Sequence, residues 1–313
     1  MNYFELKPED NTFSNVVVDL THKCNMECAN CYIPNRNILD LEVSKLYEFL
    51  KKLPFRTYIR LIGAEPTMRE DLIDIIKMVK KLGHIPSLTT NGLKLAQLDY
   101  VKQLKDAGLR LILHSMNGAD DDNAYKVLDN GKWAKVKVKA LDNILHFRLP
   151  VNTGTIIAKN VNEHIMKRQV DLFAERAGIN GINFDNDKPY RKIKPVLRIK
   201  SVGNLGRNLG FNHSLSMLEL VDLASKSFNL DKNEILNSKA TAGVVRAGKF
   251  GSAETSFLIS VKTSAGNIFV RLVDWSVNDE GVIDHDNPNR GRLTQNWTIA
   301  PFFEHVKQNE FGY

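Results

Sequence analysis

The chain has 313 residues, of which 43% are hydrophobic and 25% charged, a globular balance that excludes intrinsic disorder. Lysine and arginine number 43 against 36 aspartate and glutamate, a formal net charge of +7. No apolar run approaches the roughly 20 residues that cross a bilayer. The N-terminus MNYFELKPEDNTF also lacks the basic and apolar regions of a secretory leader, so the expected location is cytoplasmic.

A polar lead-in over 1–14 precedes the first apolar run, 15–20 (NVVVDL), which reads as a strand. Directly after it, LTHKCNMECANCYIP holds all three cysteines of the chain, Cys24, Cys28 and Cys31. An odd count cannot close a disulfide framework, and cysteines placed for packing would be scattered. Three thiolates on one loop suit a soft metal centre. Two such centres are open at this point. One is a zinc site, with His22 as a possible fourth ligand. The other is an iron–sulfur cluster held by three thiolates, whose open iron is a site for chemistry.

Helix-period stretches over 41–53, 70–82, 93–107, 132–146 and 163–177 then alternate with apolar runs at 58–62, 85–89, 109–114, 151–158 and 179–184. Gly83, Gly108 and Gly178 fall where left-handed helix caps are expected. Strand–helix alternation predicts a parallel sheet covered by helices, either open or a partial barrel. Several strands end in polar motifs: Gly63-Ala64-Glu65-Pro66, Thr89-Thr90-Asn91-Gly92, and His114-Ser115-Met116-Asn117-Gly118. Lys135, Lys137 and Lys139 alternate with valines and read as an exposed face. The basic segment 188–207 (KPYRKIKPVLRIKSVGNLGR) either grips a carboxylate or phosphate or is a solvated loop. Beyond 200 a helix is expected over 216–228 and a hairpin over 256–275, turning near Ala265–Gly266. This 201–313 region reads as an extension that shapes a substrate pocket, with Arg271, Asp274 and Tyr313 as candidate lining residues. No aromatic pattern of an RNA-binding type accompanies the basic residues, so nucleic acid is not the expected partner.

The array C-x3-C-x2-C, with Thr21, Asn25 and Tyr32, fits T-x-x-C-N-x-x-C-x-x-C-Y. It resembles the radical S-adenosylmethionine (SAM) superfamily, in the branch of the molybdenum-cofactor and sulfatase-maturase type enzymes. Asn30 stands where that family usually has an aromatic residue. The resemblance implies an α/β fold: a partial (β/α)6 TIM-like barrel over 15–200 with a C-terminal α+β extension. It also implies that Cys24, Cys28 and Cys31 ligate one 4Fe–4S cluster and that SAM chelates the open iron. By the same resemblance Glu65, in a GAEP version of the family's G-G-E-P motif, receives the SAM amino group. Gly63, Ala64, Thr90, Asn91, Ser115 and Tyr32 would line the cofactor, and Asn162-Glu163 matches the fifth-strand ending. Alanine at 64 is compatible with this role if its φ is negative.

The implied activity is reductive cleavage of SAM to a 5′-deoxyadenosyl radical, which abstracts hydrogen from a small biosynthetic molecule. A peptide or RNA substrate is the alternative, and a non-catalytic metal-binding or sensor protein is the rival class. An acidic electron donor such as flavodoxin or ferredoxin is the implied partner, in keeping with the +7 charge. The absence of cysteines after Cys31 implies neither an auxiliary cluster nor a cysteine hydrogen donor. No residue is singled out for the chemistry on the substrate.

Overall fold

A computed structural model describes residues 4–31, 33, 35–203, 207, 213–238, 256–273, 277–278, 281–282 and 290–302. Its first strands, β1 (Asn15–Asp19) and β2 (Tyr58–Ile62), are short runs in which branched apolar residues predominate. They are followed by β3 (Ile85–Thr90), β4 (Leu111–Ser115), β5 (Val151–Ile157) and β6 (Val196–Ser201). Consecutive strands from β1 to β6 pair in parallel. The helices α1 (Val43–Lys51), α2 (Leu72–Lys81), α3 (Leu98–Ala107), α4 (Asp122–Asp129), α5 (Ala134–His146) and α6 (Ile165–Ile179) lie in the crossovers. In α2 the buried residues Leu72, Ile75, Ile76 and Val79 recur at helical spacing, which turns one stripe onto the sheet.

Beyond β6, α7 (Met217–Phe228) and α8 (Lys232–Asn237) precede an antiparallel hairpin of β7 (Ser256–Thr263) and β8 (Gly266–Val273). A two-residue pair, β9 (Val277–Asn278) and β10 (Gly281–Val282), stands apart from the main sheet. β11 (Arg290–Leu293) and β12 (Ile299–Pro301) return to that sheet. Its order is β12-β11-β1-β2-β3-β4-β5-β6-β8-β7. β8 pairs parallel to β6 and β11 parallel to β1, so the region after residue 200 lengthens the parallel sheet at both edges. The result is an α/β, unclosed, TIM-like partial barrel. Among the described residues no helix is long and apolar enough to cross a membrane.

The expected strand at 179–184 does not form. α6 runs through Gly178 to Ile179, and the left-handed glycine is Gly181, at φ +61°. Gly83 and Gly108, by contrast, do adopt left-handed φ, +89° and +97°. Ile182 and Phe184 are buried by packing instead, with Phe184 between Phe173 and Tyr190. The sixth strand is VLRIKS, inside the segment 188–207 read as either an anion grip or a solvated loop. Its alternation is regular: Leu197, Ile199 and Ser201 are buried, while Arg198 and Lys200 line the barrel cavity. A polar face directed into a cavity looks, in sequence, like a solvated one. Helix α4 has no counterpart among the expected elements, because its eight residues carry four polar or charged side chains besides a short apolar stripe.

Candidate active site

The cysteine loop leaves β1 at the C-terminal edge of the sheet, where parallel barrels gather their functional loops. Contacts on three sides shape it. On the β2 side, Ala64 N–H donates to Thr21 O (2.8 Å) and Glu65 N–H to Lys23 O (2.9 Å). Thr21 Oγ1 donates to Asp40 (2.6 Å) and accepts from Lys23 N–H, which turns the chain toward Cys24. On the α4 side, Ala29 N–H donates to Leu128 O (3.0 Å) and Asn130 Nδ2 to Glu27 O (2.6 Å). Arg207 N–H donates to Cys31 O (2.9 Å), and its guanidinium pairs with Glu27.

Gly63 brings β2 against the backbone of the cysteine loop. Its φ is +150°, and a Cβ there would lie 2.3 Å from the Thr21 carbonyl oxygen. Ala64 is not among the residues at positive φ, so its methyl is accommodated as expected.

Cys24, Cys28, Cys31, Gly63, Ala64, Thr90, Asn91 and Ser115 line one cavity. Tyr32, Asp274 and Tyr313 lie outside the described residues. All three cysteines are unpaired and half-buried. Burial pushes the Cys24 and Cys28 thiols up, and at Cys28 the charge of Asp129 adds to it. Thiols held this way are poor free nucleophiles, whereas a coordinated metal deprotonates them outright. Unpartnered buried donors stand beside them: Asn30 Nδ2 and Arg36 Nε and Nη1. Soft ligands with spare N–H groups around them fit an anionic, thiolate-ligated centre. His22 belongs elsewhere. Its Nδ1 contacts Asn35 O (3.3 Å), and its ring lines a separate cleft with Asp40 and Leu293, which argues against the zinc alternative.

Glu65 follows directly on the Gly63–Ala64 strand end. It is fully buried beneath the cavity floor, where burial holds its carboxyl above the usual range. Oε1 accepts from Thr67 N–H (3.0 Å), Thr67 Oγ1 (2.6 Å) and Thr90 Oγ1 (2.7 Å). Oε2 accepts from Asn91 N–H (2.6 Å). The carboxylate thus orients the Thr90–Asn91 turn, which faces the cavity, and Asn91 Nδ2 reaches Asn25 Oδ1 (2.8 Å) and Cys24 Sγ (3.9 Å).

Asn162 ties strand ends together, donating to Asn117 O and Ile156 O, and Glu163 accepts from Asn160 N–H. His114 is wholly buried against α5, where burial and Lys137 push its pKa down to about 3, and His164 pairs with Asp121 at the surface.

The remaining cavity wall is basic: Arg198 and Lys200 come from the segment read as a possible anion grip, whereas Arg60 and Arg290 carried no signal in the sequence. Arg60 enters from β2 with Nε donating to Thr89 Oγ1 (2.8 Å), Arg198 and Lys200 from β6, and Arg290 from β11. Arg271, expected as a lining residue, sits on β8 in register with Arg198 but is not among the residues that line this cavity. Lys137 overturns the expectation of an exposed face: only Lys135 and Lys139 are exposed. The Lys137 side chain is 1% exposed, donates to Ser115 O (2.8 Å) and lies 3.9 Å from Asp129, itself 2% exposed. Asn117 Nδ2 donates to the other Asp129 oxygen (2.9 Å). Removing one partner leaves a buried charge uncompensated, so Lys137→Met is expected to cost about 3–5 kcal/mol in denaturant unfolding. The double variant with Asp129→Asn should recover much of that loss, and no recovery would show that the pair is not coupled.

A parallel, unclosed barrel with a thiol-bearing loop at its C-terminal edge defines a class of cofactor-dependent α/β enzymes. Residues 18–173 match the family model of the radical SAM superfamily. The chain belongs to that superfamily and is an enzyme. A family of this kind uses SAM and an iron–sulfur cluster.

Among curated relatives, a 7,8-dihydro-6-hydroxymethylpterin dimethyltransferase of Methanocaldococcus jannaschii is 30% identical over 178 residues, covering 53% of this chain and 35% of the relative. A GTP 3′,8-cyclase of Nautilia profundicola is 31% identical over 195 residues, covering 57% and 59%. The chain therefore spans only about a third to three-fifths of these two relatives. Among solved structures, Streptococcus suis SuiB bound to precursor peptide SuiA aligns with a TM-score of 0.55 at 14% identity, covering 69% of this chain and 45% of SuiB. Native anSMEcpe with bound AdoMet and a peptide aligns at 0.51 and 16% identity, covering 71% and 61%. At such identities the likeness is one of fold.

Proposed function

We propose that Cys24, Cys28 and Cys31 hold a 4Fe–4S cluster and that this chain modifies a small anionic molecule by hydrogen-atom abstraction. Bound there, the cluster would supply the electron that cleaves SAM into methionine and a 5′-deoxyadenosyl radical. The observation that carries the reading is the composition of one cavity. Three thiols and the Gly63–Ala64, Thr90–Asn91 and Ser115 strand ends form one part of its wall; Arg60, Arg198, Lys200 and Arg290 form another. Cations from three different strands converging on one space favour a phosphate- or carboxylate-bearing substrate. Relatives named for GTP and for a pterin are in keeping with a small molecule.

In this reading residues 15–200 are the catalytic core and 201–313 the extension that completes the pocket, with Arg290 and Phe302 contributed by the latter. Glu65 acts as a positioning residue for the SAM-facing turn rather than as a direct ligand. The +7 charge supports docking of an acidic electron donor such as flavodoxin or ferredoxin.

Anaerobic reconstitution tests the proposal. The expected outcome is about four iron per chain, a cluster spectrum perturbed by SAM, and 5′-deoxyadenosine after dithionite reduction. Tight zinc without SAM cleavage would overturn it. Phosphorylated small molecules, GTP among them, should raise deoxyadenosine formation above the substrate-free background. Arg198→Met should abolish that stimulation while leaving the background intact, and stimulation by neutral analogues alone would reject the anionic substrate.

A further inference from the structure

We propose that Arg36 is a positioning residue that sets the cluster's reduction potential, placing a positive charge and an N–H···S hydrogen bond on Cys31. The inference rests on the cluster reading above.

Arg36 follows Cys31 by five residues, and the chain folds back so that Nη2 donates to Cys31 Sγ at 3.2 Å. The same sulfur, as a thiol, donates to Ile33 O at 3.3 Å. The rest of the guanidinium is also held inside: Nε and Nη1 are buried and have no hydrogen-bond partner among the described residues, and the residue lines the cavity with all three cysteines. A guanidinium stays protonated in proteins, and leaving its donors unmet in a buried place is costly. That cost is offset when an anion stands in front of it.

The anion that the structure offers is the thiolate set itself, because among the described residues the guanidinium's hydrogen bond goes to sulfur. Reduction adds an electron to this centre, so a fixed neighbouring cation stabilises the reduced form more than the oxidised one. Hydrogen bonds to sulfur act in the same direction, and both are recognised determinants of iron–sulfur potentials. Lysine would keep the charge but lose the planar fork that reaches Sγ while directing other N–H groups inward.

Potentiometric titration of the reconstituted full chain, followed by electron paramagnetic resonance and performed without and with SAM, tests this. Arg36→Gln is expected to retain its iron and to shift the midpoint to more negative values in the absence of SAM. The shift should be at least tenfold in the reduction equilibrium, about 59 mV for one electron. Arg36→Lys should shift in the same direction by less. An unchanged midpoint in Arg36→Gln would overturn the inference, and so would a shift seen only with SAM, which would assign the residue to that ligand. If Arg36→Gln fails to hold the cluster, Arg36→Lys decides: a wild-type midpoint rejects the role and a negative shift supports it. A wild-type chain that takes up no iron overturns the cluster reading and this inference with it. A loaded, SAM-cleaving chain whose variants keep the wild-type potential overturns only the inference.

Discussion

Cys28→Ala is expected to remove cluster and SAM cleavage together, lowering iron from about four per chain to less than about one. With three thiolates in the whole chain there is no spare ligand to replace it. Cys28 lies in sequence between the Thr21–Ala64 and Ala29–Leu128 backbone contacts and between the other two cysteines, so its loss leaves two ligands on either side of a gap. Iron and sulfide assays of the reconstituted variant, with chromatographic detection of 5′-deoxyadenosine, measure both quantities. Retention of either would mean that the ligand set is wrong. Because the side chain is only half-buried, unfolding of the unloaded variant should stay within about 1 kcal/mol of the wild type. That control separates lost ligation from lost folding.

Gly63→Ala is expected to be strongly destabilising, at about 2–4 kcal/mol. The added carbon would lie 2.3 Å from the Thr21 carbonyl oxygen, a backbone atom that cannot rotate away, and alanine disfavours φ +150°. Relief requires β2 to part from the Thr21–Lys23 segment, which carries the chain into Cys24. The variant should therefore lose stability in denaturant unfolding and also load poorly with iron. Ala64→Gly, one residue on, should stay within about 1 kcal/mol, since its backbone is unstrained. Wild-type stability and loading in Gly63→Ala would show that the loop does not depend on this approach.

Much of the core was legible because its signals are local. β1 through β5 are compact apolar runs bounded by polar turns, and the glycines at 83 and 108 mark chain reversals as their conformational freedom requires. The polar strand ends were also legible, since Gly63, Thr90, Asn91 and Ser115 each close an apolar run and come to one edge of a parallel sheet. β6 was hidden for a physical reason. Its inward side chains are Arg198 and Lys200, and alternation between apolar and basic residues describes a surface strand and a barrel-lining strand equally well. Lys137 was hidden likewise: nothing in AKVKVKA tells which of three lysines faces Asp129, because that partner comes from another helix.

Three cysteines confined to eight residues and a strand–helix alternation that calls for a parallel sheet were readable from the chain alone. Ligand spacing and hydrophobic period are carried by neighbours in the chain, so no tertiary information is needed to read them. Only the tertiary structure decided what surrounds that loop. It buried the Glu65 carboxyl against Thr90 and Asn91, sent His22 to a different cleft, and set Arg36 against Cys31. It also brought Arg60, Arg198, Lys200 and Arg290 to the same cavity from strands far apart in the chain. Burial and charge environment are sums over distant residues, and they exist only once the sheet has curved around them.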